Sequence, residues 1–209
     1  MPKITKEESD ARRAEIIDAC EALYRSESYH DITMTQIAAK VSFGRANVYN
    51  YFQNKDEILL ALLQREHELW ADDLASLRES GMTPDNESLA DGIAASLEKR
   101  TQMLKLLAMN LYDIEQNSRL ESLVAFKHAY KRVVDELERL LRTSKPHWNE
   151  ARASRFVFGL VPYTHGVYPF VFHSAKQLAA MSAANVAHPE LSIRTLVRDL
   201  ALSLLRDET

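Results

Sequence analysis

The sequence predicts an all-α protein in which an N-terminal head of three short helices precedes a larger helical domain. The 209 residues include only 5 Gly and 6 Pro, and apolar side chains recur at helical spacing along the chain. Hydrophobic residues make up 46% of the chain, which is ample for a buried core. We expect the head to occupy residues 1–56 and the second domain to occupy residues 57–209.

The first predicted helix begins at Ser9, as its N-cap, and ends near Arg25. Its apolar side chains form one stripe, which consists of Ile16, Ile17, Cys20, Leu23 and Tyr24. Because Cys20 lies inside this stripe, we interpret it as a small buried side chain and not as a reactive thiol.

Two short helices joined by a tight turn are predicted between Thr33 and Phe52. Thr33 and Gln36 have the spacing of a capping box and begin the second helix. The segment Ser42-Phe43-Gly44 interrupts the apolar pattern, and Gly44 can cap a third helix from Arg45 to Phe52.

A long fourth helix is predicted to follow, capped by Asn54 and extending to about Leu77. The Gly- and Pro-containing stretch 80–86 is the clearest loop and the best place for a boundary, although the fourth helix straddles it. Further helices are predicted for Glu87 to about Arg100, Met103 to Glu115, Arg119 to Arg142, Trp148 to Ser174, and Glu190 to Arg206 with Pro189 in its first turn.

The short second and third helices have the geometry of a helix-turn-helix, and their side chains suit DNA. Arg matches guanine, Asn matches adenine and Ala fits the thymine methyl group, so base contacts are predicted for Arg45, Ala46, Asn47 and Asn50. Contacts that hold the register, mainly to phosphates, are predicted for Thr33, Thr35, Gln36, Tyr49, Tyr51 and Lys55. Tyr49 and Tyr51 have an alternative interpretation as core residues, which is the one we adopt for Val48 and Phe52.

These residues resemble the DNA-binding head of the TetR family (TetR/AcrR type) of bacterial transcriptional regulators. The resemblance covers residues 13 to about 63 and rests on three motifs: Arg13-x-x-Ile16-Ile17-x-Ala19-Cys20-x-x-Leu23-Tyr24, Tyr29-x-x-Ile32-Thr33-Met34-x-x-Ile37-Ala38, and Val48-Tyr49-x-Tyr51-Phe52-x-x-Lys55-x-Glu57-Ile58. It implies an all-helical homodimer of about nine helices per subunit, whose last two long helices form the dimer interface. It also implies a repressor of a palindromic operator in double-stranded DNA, released when a small effector bound in the second domain moves the fourth helix.

The turn departs from the family pattern. The family usually has Gly-Val-Ser where this chain has Ser42-Phe43-Gly44, and usually a Gly at the position of Ser28. A Ser adopts the backbone conformations open to Gly at a higher cost. We therefore expect a turn of different shape and base contacts that differ in detail from those of the family.

Aromatic residues are concentrated between Trp148 and His173, where Pro162 should kink or end a helix. This region suits the wall of a pocket and the core of a dimer equally well. We predict a largely apolar effector that contacts Met103, Leu107, Phe126, Tyr130, Tyr163 and His165. His165 and His173 have no carboxylate or Cys at ligand spacing, so neither a metal site nor a cofactor is expected.

Several classes of protein are disfavoured. The longest aliphatic run is far shorter than a membrane span, and the N-terminal residues lack the apolar core of a signal peptide, so a cytoplasmic protein without membrane contact is expected. No phosphate-binding glycine loop or nucleophile-base pattern supports an enzyme. The net charge of -4 supports a rival interpretation, a helical sensor or interaction protein that no longer binds DNA.

Overall fold

The computed structural model describes residues 5–79 and 85–206, and every regular element within these ranges is helical. There are eleven α-helices and one short 3-10 helix in these ranges, against about nine helices expected. In chain order the elements are α1 (Lys6–Ser26), α2 (Met34–Ala38), the 3-10 helix (Arg45–Asn50), α3 (Lys55–Glu79), α4 (Asn86–Glu98), α5 (Thr101–Met109), α6 (Leu111–Gln116), α7 (Leu120–Ser144), α8 (Glu150–Thr164), α9 (Tyr168–Val171), α10 (Ala175–Ala183) and α11 (Ile193–Leu205).

Capping side chains set where the first helices begin. The capping box predicted for α2 is confirmed, since the Thr33 hydroxyl accepts from the Gln36 N–H at 3.2 Å and the Gln36 side chain accepts from the Thr33 N–H at 2.8 Å. The N-cap predicted at Ser9 is wrong. Thr5 and Glu8 form a full capping box one turn earlier, and the Ser9 N–H already donates within the helix, to the Thr5 carbonyl.

The third predicted helix is a 3-10 helix that ends at Asn50, so the α-helix expected from Arg45 to Phe52 is wrong. Its N-cap is Gly44, as expected, with no side-chain cap. A segment this short gains few α-helical hydrogen bonds, and 3-10 geometry is common in such pieces. Helix α3 then begins at the predicted cap, where the Asn54 side-chain oxygen accepts from the Glu57 N–H at 3.0 Å.

The chain forms two compact units. The first consists of Met1–Glu66 and Asn110–Ala129, and the second of His67–Met109 and Tyr130–Thr209. The boundary expected after residue 56 stays a prediction, while packing adds a later segment to the N-terminal unit. Residues 80–84 of the predicted boundary loop lie outside the described ranges, and Asp85 caps α4 through the Ser88 N–H.

In the second unit, α11 packs mainly on α4 and also on α8. Three sequence predictions for this part of the chain are corrected. The helix predicted from Met103 to Glu115 divides at Asn110, whose backbone is not helical and which caps α6. Helix α8 continues two residues beyond Pro162, and the last helix begins at Ile193, because Ser192 and not Pro189 provides the first-turn cap.

Helix α10 was not predicted. It contains no buried residue, so the sequence shows no apolar stripe there. Among the helices in the described ranges, none is both long and apolar enough to cross a membrane.

Candidate nucleic-acid interface

The 3-10 helix is anchored by one buried residue and exposes most of the others. Val48 is fully buried, and Phe52 just beyond the helix is 2% exposed, as the core interpretation predicted. The four residues predicted to contact bases, Arg45, Ala46, Asn47 and Asn50, are all exposed. Tyr49 is 56% exposed, so its ring is not a core element within this chain.

The 3-10 geometry changes which side chains are neighbours. Residues three apart eclipse one another in a helix with three residues per turn. Asn47 and Asn50 accordingly lie in one row, and the Asn50 amide donates to the Asn47 side-chain oxygen at 3.5 Å. Both Asn side chains therefore face the same side of the element, where they can contact adjacent base edges.

The residues predicted at the start of α2 differ in their availability. Gln36 is occupied: besides the capping box, its amide donates to the Glu27 carboxylate at 3.0 Å. Thr33 is exposed, although its hydroxyl serves the same box, and Thr35 is exposed. Of the three predicted contacts at this helix, Thr35 is thus the one whose side chain is not part of the cap.

Lys55 has a structural role that the sequence did not suggest. Its ammonium group donates to the Tyr29 carbonyl at 2.6 Å and to the Ile32 carbonyl at 3.1 Å. It also lies 4.1 Å from the centre of the Tyr29 ring. Since an ammonium group has three donors, two are used to hold the segment before α2, and one remains for a phosphate.

Two arginines beside the 3-10 helix were missed by the sequence analysis. The Arg12 guanidinium lies 5.3 Å from the centre of the Phe43 ring in the turn, and the Arg13 guanidinium lies 5.1 Å from that of Phe52. Tyr51, half-buried, packs on the other side chain of this set, with 6.3 Å between its ring centre and that of Phe43. The pair Arg12-Arg13 on the exposed side of a helix before the turn was the available signal.

A second missed set is buried behind the 3-10 helix. Asp56 and Glu57 were predicted only as favourable charges at the start of α3. Both are buried, and their partners include Tyr29, Asn117 and Arg119. Asn117 and Arg119 follow them by about sixty positions (|i−j| = 61 and 62), so no local pattern could have identified the contact.

The residues predicted to contact an effector are mostly apolar and inaccessible. Met103, Leu107 and Phe126 are buried, whereas Tyr163 and His165 are half-buried. Tyr130, also half-buried, lies 6.3 Å from His67 between ring centres. His165 ends α8 as its C-cap, with its N–H donating to the Pro162 carbonyl.

Two cavities are seen in the second unit, and neither includes any of these six residues. One of about 520 Å³ is lined by Phe170, Val171, His173, Leu178, His188, Pro189, Glu190 and Leu191. The other, of about 270 Å³, is lined by Glu138, Leu141, Arg142, Lys145, Trp148, Asn149, Glu150 and Ala153. The effector contacts therefore stay a prediction. Among residues 5–79 and 85–206, no three His, Cys, Asp or Glu side chains are grouped as metal ligands.

Comparison with known protein families covers nearly the whole chain. Residues 16–62 match the family described as "Bacterial regulatory proteins, tetR family". Residues 64–206 match the family described as "Tetracyclin repressor-like, C-terminal domain".

The matches to individual curated proteins are shorter. The HTH-type transcriptional regulator YfiR of Bacillus subtilis is 27% identical over 114 residues, which are 54% of this chain and 53% of YfiR. TtgR of Pseudomonas putida is 38% identical over 80 residues, 38% of each chain. The alignments thus span about half, or less, of the length of these relatives.

Solved structures share the fold over almost the full length. The fatty acid degradation regulator FadR of Bacillus halodurans matches with a TM-score of 0.61 and 16% identity, over 93% of this chain and 94% of FadR. FadR of Bacillus subtilis, solved in complex with stearoyl-CoA, matches with a TM-score of 0.59 and 15% identity, over 92% and 97%.

Proposed function

Because the chain belongs to the TetR family of bacterial regulatory proteins, we propose that it is a homodimeric repressor that binds a palindromic operator and is released by a small effector. The observation that carries this proposal is the 3-10 helix. It is fixed to the core by Val48 and presents Arg45, Asn47 and Asn50 outward. These residue types match the donor and acceptor patterns of guanine and adenine in the major groove.

The dimer follows from the geometry of DNA. A single six-residue element contacts only a few base pairs, whereas two copies related by a twofold axis contact two half-sites. In the DNA-competent state the two recognition elements should lie about 34–36 Å apart, which is one turn of B-DNA. A monomer at micromolar concentration by light scattering would contradict this arrangement.

The supporting cations lie around the same element. Arg12 and Arg13 are held over aromatic rings at either end of it, and Lys55 keeps one donor. We propose that these three side chains, with Thr35 and Tyr49, contact phosphates on either side of the groove. Such contacts hold the register without selecting a sequence.

The effector is proposed to be largely apolar, because the six predicted contact residues include Met103, Leu107 and Phe126. The FadR structure that contains stearoyl-CoA shares this fold, so long-chain acyl compounds belong in the first screen. A thermal-shift screen in which only highly charged compounds stabilise the protein would overturn the apolar effector. The protein is proposed to act in the cytoplasm.

The DNA proposal is tested with the DNA upstream of the protein's own gene. Binding is measured at several salt concentrations, with a scrambled duplex of equal length as the control. We expect the logarithm of affinity to fall linearly with the logarithm of salt concentration, with a slope of about -0.9 for each phosphate contacted. Absence of binding, or a response independent of salt, would refute the repressor.

One observation favours a second candidate, a helical sensor that does not bind DNA. The charged residues of positions 1–56 comprise eight Lys or Arg and nine Asp or Glu, which sum to 8 − 9 = −1. The same salt titration separates the two candidates, because a sensor of this kind would bind its effector and no duplex.

A further inference from the structure

A fully buried carboxylate lies directly behind the recognition element. The Glu57 side chain has 0% exposure. It accepts hydrogen bonds from the Gln53 N–H at 2.8 Å, from the Arg119 N–H at 3.2 Å and from the Arg119 guanidinium at 2.9 Å. A buried charge of this kind requires a paired and hydrogen-bonded partner. Arg119 supplies both the opposite charge and most of the donors.

Its neighbour Asp56 is held in the same way from the same segment. The Asp56 carboxylate accepts from the Tyr29 hydroxyl at 2.7 Å and from the Asn117 amide at 2.8 Å. The Asn117 carbonyl in turn accepts from the Asn54 amide at 2.9 Å. Asn117 and Arg119 therefore hold two consecutive residues of the first turn of α3.

These contacts reach the residues that end the recognition element. Gln53, whose N–H is bound by Glu57, follows the 3-10 helix by three positions. The Tyr51 carbonyl, at the C-cap of the 3-10 helix, accepts from the Arg119 guanidinium at 3.4 Å. The connection between the 3-10 helix and α3 is thus bonded on both sides to the connection between α6 and α7.

We propose that Asn117 and Arg119 are positioning residues for DNA recognition, which fix the orientation of the 3-10 helix through Asp56 and Glu57. The proposal rests on the DNA-binding function proposed above. It places part of the operator specificity in a segment outside the helix-turn-helix itself. It also implies that any rearrangement of residues 117–119 alters the fit of Arg45 to its base.

The chain offers a matched control. Arg132 is also an arginine with 44% side-chain exposure that pairs with a carboxylate, but its partner Asp72 is 60% exposed and belongs to the second unit. Arg119→Gln and Arg132→Gln therefore remove the same charge from the same degree of exposure. Only the first leaves a buried carboxylate without its partner.

The first measurement needs no DNA. Hydrogen exchange followed by mass spectrometry reports the backbone amides of residues 45–53 in the free protein. Exchange there should be at least about tenfold faster in Arg119→Gln than in the wild type, because the loss of a buried partner lowers the local opening free energy. Arg132→Gln should match the wild type in this peptide.

The second measurement is sequence selectivity. The wild type selects its preferred site from randomised duplexes, and each variant is then titrated with that site and with an unrelated duplex. Arg119→Gln should lose about tenfold or more in affinity for the selected site, while affinity for the unrelated duplex stays within about twofold. Arg119→Lys, which keeps the charge but not the paired donors, should recover only part of the selectivity.

Asn117→Ala guards against a variant that fails to fold, because it removes a single neutral hydrogen bond to Asp56. It should show the same pattern with a smaller effect. Unchanged exchange and unchanged selectivity in Arg119→Gln and Asn117→Ala would overturn the positioning role, as would equal losses for both duplexes. A wild type that selects no sequence would instead refute the proposed function, and the exchange measurement would still decide whether these residues hold the 3-10 helix.

Discussion

Replacing Lys55 separates a structural lysine from a phosphate-binding one. Lys55→Met keeps the length of the side chain but removes two charge-assisted hydrogen bonds, to the carbonyls of Tyr29 and Ile32. Each such bond is worth about 1.5–3 kcal/mol, and the cation–π contact with Tyr29 adds about 0.5–1 kcal/mol. Because the site is half-exposed, water replaces part of this, and we expect a loss of about 2–4 kcal/mol in the free energy of unfolding.

The assay is urea unfolding followed by circular dichroism, with Lys40→Met as the control. Lys40 is exposed at the end of α2, so its replacement should change the free energy of unfolding by no more than about 0.5 kcal/mol. Suppose that Lys55→Met unfolds at the same urea concentration as the wild type but binds every duplex more weakly. The ammonium group would then be a phosphate contact only, and its role in holding Tyr29 and Ile32 would be refuted.

Three further predictions concern single residues. Arg45→Ala should lose about 1–3 kcal/mol of binding free energy and relax selectivity at one base pair, measured by titrating single-base variants of the operator. Burial raises the pKa of the Cys20 thiol to about 12, so at pH 8 it should react with Ellman's reagent far more slowly in the folded protein than in guanidinium chloride. Burial by itself would raise the pKa of Glu57, but hydrogen bonds, the largest of them from Arg119, lower it below its usual range. The stabilisation is therefore complete above about pH 4.5 and lost as pH falls through the lowered value. Urea unfolding between pH 5 and pH 3 should accordingly show a shallower loss of stability for Glu57→Gln than for the wild type.

The sequence predicted those features of the head that depend on neighbouring residues. The capping box of Thr33 and Gln36 and the cap at Asn54 each join residues three positions apart, so their spacing identifies them directly. The burial of Val48 and Phe52 likewise follows from an apolar pattern within one element. Such signals are local, and they were sufficient for the fold class and the family resemblance.

The features that were missed depend on contacts between distant parts of the chain. Lys55 was assigned to phosphate because its carbonyl partners lie more than twenty positions earlier. Asn117 and Arg119 were taken as ordinary helix-flanking residues because their partners lie about sixty positions earlier (|i−j| = 61 and 62). Polar contacts of this kind leave no periodicity, and only the folded structure brings the residues together.

Helix α10 illustrates a different limit. A helix is recognised in a sequence by its apolar stripe, and the stripe exists because one face is buried. Ala175–Ala183 buries no residue, so only its capping box, formed by Ser174 and Gln177, was available as a signal. The division of the helix predicted from Met103 was hidden for the opposite reason: α5 is apolar on most sides, so the pattern continues past the break at Asn110.

The position of the charges bears on the rival interpretation of the head. The sum over positions 1–56 counts Glu21 but not its partner Arg65, which lies 2.7 Å away and outside that segment. Meanwhile, Arg12 is held over the Phe43 ring in the turn, and Arg45 is exposed on the 3-10 helix. Exposed charges separated by more than about 8 Å are largely screened at physiological salt. Cations beside the recognition element therefore act on a phosphate at contact distance, whereas distant carboxylates contribute little, and a slightly acidic chain is compatible with binding DNA.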